Sequence, residues 1–383
     1  MHRFSTPWGE LDLTRHPADP RDQLRAWDAA DDYLLRHLAQ EGPGPEGGGT
    51  TVLLGDRWGA LATALAARHP VQISDSYLGQ QATRANLRRI GAEDQVRLLS
   101  TRDAPPERVD LLVVRVPKSL ALLEDRLHAL APAVHAGTVV VGAGMVTEIH
   151  TSTLALFERI LGPTRTSLAV RKARLVHCTP DPDLPRTPSP WPLRYALPDG
   201  IGAMSGREVT NHAGVFCADR LDLGTRLLLT HLPRREGQDR VIDLGCGNGV
   251  LGTAAAVANP GSEVVFTDES HQALASAEAT FHANAALEAR ERARFVLADA
   301  AAGVPAGSAD LVLNNPPFHS HRATTDATAR RMFGTARAAL HPGGELWVVA
   351  NRHLGHHTRL RRLFGNCEVL SSDPKFVVLR AVR

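Results

Sequence analysis

The stretch Val241-Ile242-Asp243-Leu244-Gly245-Cys246-Gly247-Asn248-Gly249 decides the fold of the C-terminal half. It is an apolar run that contains one acid and leads into alternating glycines, and a helix pattern of small residues begins at Val250. Such glycines allow a tight turn in which a ligand lies against bare backbone at the carboxyl edge of a parallel strand. The stretch therefore predicts a strand, a ligand-binding turn and a helix.

This loop also matches the dinucleotide-binding pattern G-x-G-x-x-G, through Gly247, Gly249 and Gly252. A single match of this kind is weak evidence. Asp243 stands immediately before the loop, where its carboxylate would repel a pyrophosphate but attract the ammonium of an amino-acid moiety. We therefore favour a cofactor that contains an amino acid over a dinucleotide.

Two further carboxylates follow apolar runs that read as strands. Asp268 ends the run from Val264 and lies 19 residues beyond Gly249 (268 − 249), a spacing suited to accepting hydrogen bonds from ribose hydroxyls. Asp299 ends the run from Phe295, and it can accept from an adenine amino group. Either aspartate alone is more often a helix cap or a turn residue. Three successive strand-end carboxylates, together with the segment Asn315-Pro316-Pro317-Phe318, form a constellation that helix caps do not explain.

The apolar run from Asp310 to Leu313 ends abruptly in Asn314-Asn315-Pro316-Pro317-Phe318. Each proline fixes its φ angle and lacks an amide hydrogen, so this segment predicts a rigid loop after a buried strand. The Asn315 side-chain oxygen and a prolyl carbonyl can accept the two hydrogens of a planar NH2 group, while Phe318 stacks on its plane. A loop that merely ends a strand is the alternative interpretation.

The N-terminal half repeats this series in the same order, which predicts a duplicated α/β domain. Three replacements distinguish the first copy: Leu53 stands for Asp243, Arg57 for Gly247, and Arg115 for Asn315. An arginine where backbone must approach a ligand would block it. We therefore interpret the first copy as disabled for cofactor binding and as a scaffold or an RNA platform. The matched stretches are 54–61 with 244–251, 73–76 with 266–269, 109–113 with 309–313, and 136–141 with 343–348.

The composition is that of a soluble globular protein. The chain has 383 residues, 43% hydrophobic and 22% charged, with a net charge of +2, so any RNA surface must be a local patch. One local basic cluster is Arg171-Lys172-Ala173-Arg174, for which RNA contact and a charged strand edge are equal alternatives. The four cysteines show no metal or disulfide spacing, and neither a signal segment nor a membrane span is evident. We expect a cytoplasmic protein.

The predicted organisation has two domains. A degenerate copy occupies residues 1–178, a proline-rich linker residues 179–205, and the catalytic copy residues 206–383. The catalytic copy closes with a predicted antiparallel hairpin that turns at Ser371-Ser372-Asp373-Pro374. A dinucleotide-binding fold that serves hydride transfer does not usually end in such a hairpin.

These motifs together resemble a known family. The second half looks like a class I S-adenosylmethionine-dependent methyltransferase, and the whole chain is similar to the RsmC/RlmG group of ribosomal RNA guanine-N2 methyltransferases. The large-subunit branch of that group is the nearer. The resemblance rests on 211–216, 221–226, 315–319, 351–354 and 375–379, and on 116–124 in the first copy.

The resemblance implies an α/β fold of two tandem Rossmann-like methyltransferase domains and the cofactor S-adenosyl-L-methionine. It implies that Asn315, Pro316, Pro317 and Phe318 form the catalytic loop, which orients a guanosine amino group of ribosomal RNA, preferentially of the large subunit. The target base must leave its stack to reach this loop. We expect no metal and no membrane partner, and we take a monomer as the default oligomeric state. The implied cofactor residues are Asp243, Gly245, Gly247 and Gly249 for the methionine part, Asp268 for the ribose, Asp299 for the adenine, and Phe216 and Thr225 for closing the pocket.

Two other functions remain open from the sequence. A protein-glutamine methyltransferase would use the same loop, although such enzymes resemble a single catalytic domain. A non-enzymatic RNA-binding relic is disfavoured because the second copy keeps the cofactor residues that the first has lost. His319 and His321 beside the loop suggest a general base or a metal ligand, but no carboxylate partner is evident for them.

Overall fold

The computed structural model describes residues 2–18, 23–41, 48–317 and 322–383. The chain forms two compact units, Met1–Pro190 and Trp191–Arg383. In each unit a short hairpin and a series of alternating strands and helices are built around one large sheet.

The N-terminal unit begins with its hairpin, and the sheet strands follow from residue 51 onwards. Its strands are β1 (His2–Thr6), β2 (Gly9–Leu13), β3 (Thr51–Leu54), β4 (Val71–Ser74), β5 (Arg97–Ser100), β6 (Val109–Arg115), β7 (Val134–Met145), β8 (Thr164–Thr166) and β9 (Ala173–Cys178). Its helices are α1 (Ala29–Gln40), α2 (Ala60–Ala64), α3 (Tyr77–Arg89), α4 (Leu120–Leu130) and α5 (Thr151–Ile160).

The C-terminal unit follows the same plan. Its strands are β10 (Leu193–Ala196), β11 (Glu208–Asn211), β12 (Arg240–Leu244), β13 (Glu263–Asp268), β14 (Ala293–Leu297), β15 (Ala309–Asn314), β16 (Leu340–Asn351), β17 (Glu368–Ser372) and β18 (Phe376–Val382). Its helices are α6 (Leu223–Leu229), α7 (Val250–Ala258), α8 (His271–Asn284), α9 (Leu287–Arg290), α10 (Arg322–Ala339) and α11 (His356–Phe364).

The two large sheets have the same topology. Their strand orders are β5-β4-β3-β6-β7-β9-β8 and β14-β13-β12-β15-β16-β18-β17. The first five strands of each order are parallel, and the last two pair antiparallel. The predicted tandem α/β domains and the terminal hairpin are therefore confirmed. The first copy also ends in an antiparallel pair, β8 and β9, which the sequence did not indicate.

Side chains of the central strands alternate between two apolar cores. On β15, Leu311 and Leu313 pack in one core with Leu228 of α6, whereas Val312 packs in the other with Phe333 of α10. A parallel sheet covered by helices on both faces is buried on both, which is why its strands read as continuous apolar runs. The carboxyl edges of these strands are left for the loops that carry the polar residues.

Helix α1 begins later than the sequence pattern suggests. The amphipathic pattern from about Pro20 to Gln40 predicts one helix over that range. Pro20 lies outside the described residues, residues 23–28 are not helical, and the helix begins at Ala29 because Asp28 caps it. The Asp28 Oδ1 accepts a hydrogen bond from the Ala30 amide at 2.8 Å, and the Asp31 carboxylate accepts from the Asp28 amide at 2.8 Å. This reciprocal cap fixes the start of the helix.

The segment predicted as a linker, residues 179–205, is divided between the two units. Strand β10 lies within it and pairs antiparallel with β11, so that Leu193 stands opposite Asn211. Tyr195 of β10 packs against the core of the C-terminal unit. Proline density alone does not reveal a strand whose partner lies beyond the linker. Among the described residues, none of the helices is both long and apolar enough to cross a membrane.

Candidate active site

The glycine loop after β12 has the backbone that its sequence predicts. Gly245, Gly247 and Gly249 have φ values of 69°, 54° and 74°, in the left-handed region that favours glycine. A Cβ atom on Gly249 would lie 2.7 Å from the Cα of Ala277, so the loop packs tightly on α8. At Gly247, by contrast, a Cβ would meet no described atom within 4 Å. The loop thus leaves bare backbone facing open space at Gly247.

Asp268 lies at the carboxyl end of β13, directly beside this loop. Its Oδ2 accepts a hydrogen bond from the Gly247 amide at 3.0 Å, and its Oδ1 accepts from the Ser270 amide at 2.9 Å. The carboxylate is half-buried. The structure therefore places Asp268, the residue predicted to bind the ribose, beside Gly247 of the glycine loop.

Asp243 is buried beneath the glycine loop, where it contacts the start of α7. Its side chain is 1% exposed, and its Oδ2 accepts a hydrogen bond of 2.7 Å from the Gly252 amide in the first turn of α7. Burial raises the pKa of Asp243 to about 8; the bond from Gly252 opposes this rise, and the charge of Asp268 adds to it. The sequence predicts contact with an ammonium group, but this carboxyl lies under the helix start rather than in open space.

Asp299 and Phe216 lie in less enclosed surroundings. The Asp299 Oδ1 accepts a hydrogen bond from the Arg331 Nε of α10 at 3.2 Å. Asp299, the residue predicted to bind the adenine, therefore forms an ion pair with Arg331. Phe216 lies ahead of α6 with 51% of its surface exposed. Their roles toward a cofactor remain predictions.

Asn315 is held by two residues at the start of α6. Its Nδ2 donates to the Asp222 Oδ2 at 3.1 Å and to the Thr225 Oγ1 at 2.9 Å. A carboxylate can only accept, and the Thr225 hydroxyl itself donates to Asp222, so these partners require the amide nitrogen on their side. The Asn315 Oδ1 is consequently turned away, and it is buried without a hydrogen bond from any described residue.

The rest of the catalytic loop is described in part. Pro316 is buried and Pro317 is exposed, as expected for a loop that leaves a central strand for the surface. Phe318, His319 and His321 lie outside the described residues. In the part of the chain that the structure describes, no group of three or more His, Cys, Asp or Glu could hold a metal ion.

Asp222 is a site residue that sequence reasoning missed. It is the N-cap of α6, and its Oδ2 accepts from the Thr225 amide at 2.8 Å as well as from Asn315. An aspartate before a short apolar helix indicates a cap. Nothing in the local sequence indicates that this cap also contacts a strand end 93 positions further along the chain.

Two further asparagines, Asn211 and Asn248, lie at the glycine loop. The Asn248 Nδ2 donates to the Asn211 Oδ1 at 2.9 Å, joining the loop to the end of β11. The Asn211 Nδ2 is buried and donates to no described residue. A buried amide donor of this kind suits an anionic or carbonyl group of a ligand. The local sequence around Asn211 carries no motif that predicts this role.

In the N-terminal unit, the corresponding positions are occupied by ion pairs. Asp28 caps α1 as Asp222 caps α6, but it pairs with the Arg115 Nη2 at 2.6 Å instead of an asparagine amide. Arg115 is 0% exposed and also contacts Asp31 and Glu148 at 3.2 and 3.0 Å. In the N-terminal unit, these ion-paired side chains therefore occupy the position at which the C-terminal unit has Asn315.

Burial and charge shift the acids of this cluster in opposite directions. Burial raises the pKa of Asp31 to about 6, although Arg115 opposes the rise. The pKa of Glu148 falls to about 2, because the attraction of Arg115 and Arg57 outweighs the effect of its burial. Arg57, at the position of Gly247, donates to Glu148 at 2.6 Å. The first copy is thus closed by its own ion pairs.

The C-terminal site fits S-adenosylmethionine on several grounds. It has bare backbone at Gly247, a carboxylate at Asp268, an unpaired buried donor on Asn211 and an unpaired buried acceptor on Asn315, each counted among the described residues. Such groups suit a ligand with hydroxyl, ammonium and carboxylate functions, next to a second ligand that donates hydrogen bonds.

Comparisons with known proteins identify the two domains. Residues 1–182 match the family model described as the RLMG N-terminal domain, and residues 206–380 match the methyltransferase small domain. A solved structure described as the T. thermophilus 16S rRNA N2 G1207 methyltransferase (RsmC), in complex with AdoMet and guanosine, has the same fold. Its TM-score is 0.75 at 23% identity, over 100% of this chain and 97% of that one. The fold and site define a class I S-adenosylmethionine-dependent methyltransferase.

Closer relatives identify the family. The ribosomal RNA large subunit methyltransferase G of Streptomyces avermitilis is 68% identical over 99% of both chains. The protein of the same name from Aeromonas salmonicida is 46% identical over 97% of both. The chain belongs to the ribosomal RNA large subunit methyltransferase G family.

Proposed function

We propose that the C-terminal unit transfers the methyl group of S-adenosylmethionine to the exocyclic N2 amino group of a guanosine in large-subunit ribosomal RNA. The observation that carries this proposal is the orientation of Asn315. Its amide nitrogen is bonded to Asp222 and Thr225, so its buried oxygen is presented as a hydrogen-bond acceptor. An acceptor at this position selects a group with hydrogens to donate, which an amino group has.

The cofactor, when bound, supplies both the methyl group and its leaving group. The protein therefore needs to position the target nitrogen rather than to supply a strong base. Asn315 accepts a hydrogen bond from the amino group and orients its nitrogen towards the methyl donor, and the proton that the nitrogen loses on methylation passes to solvent. Asp268, the Gly247 backbone and Asn211 would hold the cofactor, and the proline at 316 keeps the loop stiff.

The substrate class follows from the family. An amide nitrogen of a protein glutamine could also donate to Asn315, but relatives that match this chain over its whole length are named for large-subunit ribosomal RNA. We also propose that the protein works in the cytoplasm. Its four cysteines are present as free thiols, as expected in a reducing compartment.

Replacement of Asn315 by alanine tests this proposal. Asn315→Ala should lower kcat for methyl transfer to ribosomal RNA by at least about 100-fold, since it removes a positioned polar group from the reacting centre. Cofactor affinity should stay within about threefold, because a contact to the target amino group is not a contact to the cofactor. Tritium transfer from labelled cofactor and calorimetric titration measure the two quantities.

Asn366→Ala provides the matched control. Asn366 is an exposed asparagine of the same unit that donates to the Val382 carbonyl, so its replacement should leave transfer unchanged. Normal transfer by Asn315→Ala would contradict the assigned role, and a parallel loss of cofactor affinity would place Asn315 in the cofactor site instead.

A further inference from the structure

Asn351, the last residue of β16, carries a buried acceptor that no contact within the fold explains. Its side chain is 7% exposed, and its Oδ1 receives no hydrogen bond from any described residue. β16 is the parallel neighbour of β15, the strand that leads into Asn315. Asn351 is opposite Phe376 of β18 in the antiparallel pairing on the other side.

The alternation of side chains places Asn351 and Asn315 on the same face of the sheet. Trp347 and Val349 of β16 lie in the core that contains α6, and so do Leu311 and Leu313 of β15. Side chains two positions apart along a strand lie on the same face of the sheet. Asn351 at the end of β16 and Asn315 just after β15 therefore lie on the face of this core. Both therefore leave the carboxyl edge of the sheet on the side of α6.

Packing beside α6 supports this placement. Phe376, the pairing partner of Asn351, packs so closely that a Cβ on Gly224 would lie 3.2 Å from its Cε1 atom. The next residue, Thr225, bonds Asn315. Asn351 and Asn315 thus border the same helix start from two neighbouring strands.

The N-terminal unit shows that the fold does not need a polar residue at this position. β7 and β16 have the same length and the same irregular register with their neighbours, which matches Asn351 with Met145 and corrects by one residue the sequence alignment of 136–141 with 343–348. Met145 packs against the apolar core of its unit. A buried carbonyl oxygen without a partner costs stability, so its occurrence in the copy with the open site indicates a role in binding.

We propose that the Asn351 Oδ1 accepts a hydrogen bond from N1–H of the target guanine, and thereby selects guanine. This inference rests on the proposed function. Guanine carries the N1–H donor beside its N2 amino group, so two acceptors, Asn315 and Asn351, match two adjacent donor groups. Adenine has an acceptor at N1, which would face the Asn351 oxygen without a hydrogen between them. Buried polar groups that lose their partner discriminate strongly between substrates.

The test uses full-length protein and an RNA fragment around the guanosine that the wild type methylates, once mass spectrometry has located it. The fragment carries either guanine or 2,6-diaminopurine at that position. Diaminopurine keeps the N2 amino group but has no hydrogen on N1. Wild type should prefer guanine by about 100-fold or more in kcat/KM. Asn351→Met, which copies the residue of the N-terminal unit, should reduce this preference to below about fivefold.

Two further measurements separate recognition from folding. Cofactor affinity and the unfolding midpoint of Asn351→Met should remain at or above the wild-type values, because the variant removes an unpaired buried polar atom. Asn351→Asp keeps an acceptor and should keep the preference for guanine. Wild-type discrimination by Asn351→Met, or its loss in Asn351→Asp, would overturn the inference. Absence of N2-methylguanosine with wild type would instead overturn the proposed function itself.

Discussion

At the scale of single residues, the site depends on which end of one amide faces the substrate. Asp222 accepts from Asn315 and from two groups of Thr225, and it is therefore both a helix cap and the anchor of the asparagine proposed to orient the target amino group. An asparagine free to rotate by 180° would present a donor half of the time. The anchor removes that freedom before the substrate arrives, which is the form of preorganisation that positioning requires.

Thr225→Val tests this anchor. Valine preserves the shape of threonine but removes the hydroxyl that accepts from the Asn315 Nδ2 at 2.9 Å. Loss of one such hydrogen bond is worth about 1 kcal/mol, so kcat should fall by roughly five- to tenfold, with little change in the KM for RNA. Single-turnover methyl transfer measures this effect.

Thr225→Ser is the matched control, because it retains the hydroxyl and should recover most of the rate. Unchanged transfer by the valine variant would contradict the anchoring role. The sequence predicts that Thr225 closes the cofactor pocket. A selective loss of cofactor affinity in the valine variant would favour that role over the anchoring of Asn315.

At the level of secondary-structure elements, the glycine loop must both pack closely on its neighbours and leave backbone accessible to a ligand. Different glycines meet these two requirements. Gly249 and Gly252 allow close packing, since added Cβ atoms would lie 2.7 Å from Ala277 and 2.4 Å from Phe266. Gly247 has space around it among the described residues. The first two therefore serve the fold, and Gly247 leaves backbone accessible to a ligand.

Two alanine substitutions should separate these roles. Gly249→Ala should unfold or strongly destabilise the C-terminal unit, because its Cβ would overlap backbone that cannot move cheaply. Gly247→Ala should cost only about 1–2 kcal/mol for a left-handed residue, yet weaken cofactor binding at least about tenfold. Thermal unfolding and titration calorimetry give the two results. Wild-type cofactor affinity in Gly247→Ala would show that no ligand lies against this backbone.

Elements of this kind were largely predictable from sequence, because their signals are local. The apolar strands and the positive φ at the glycines depend on neighbours within a few positions. The contact of Asp222 with Asn315 and the orphan oxygen of Asn351 were not predictable, because they depend on strand neighbours and on a helix start far away in the chain. The burial of Asp243 beneath α7 was missed for the same reason.

At the scale of the whole molecule, two copies of one topology have diverged in chemistry. The corresponding helix caps pair with a buried arginine, Arg115, in the first copy and with Asn315 in the second. Arg115 has three carboxylate neighbours, Asp28, Asp31 and Glu148, which occupy the position that Asn315 and its partners hold in the second copy. Repeated order in the sequence predicted the duplication, which the two sheets confirm, whereas the loss of cofactor binding by the first copy stays a prediction.

The chain should accordingly bind one cofactor molecule. Titration of the full-length protein with S-adenosylmethionine should give a stoichiometry of about one, since the N-terminal loop is closed by Arg57 and its partner Glu148. Asp268→Ala should weaken this binding by at least about tenfold, through loss of the carboxylate beside Gly247. A second binding event, or one that survives in Asp268→Ala, would contradict the assignment of the site.

In the proposed reaction, this protein forms N2-methylguanosine in large-subunit ribosomal RNA through Asn315. Nucleoside mass spectrometry of separately digested large- and small-subunit RNA tests it most directly, in cells with the gene, without it, and with the gene encoding Asn315→Ala. We predict that one N2-methylguanosine disappears from large-subunit RNA on deletion and returns with wild type but not with Asn315→Ala. Unchanged large-subunit RNA in the deletion, or full restoration by Asn315→Ala, would contradict the claim.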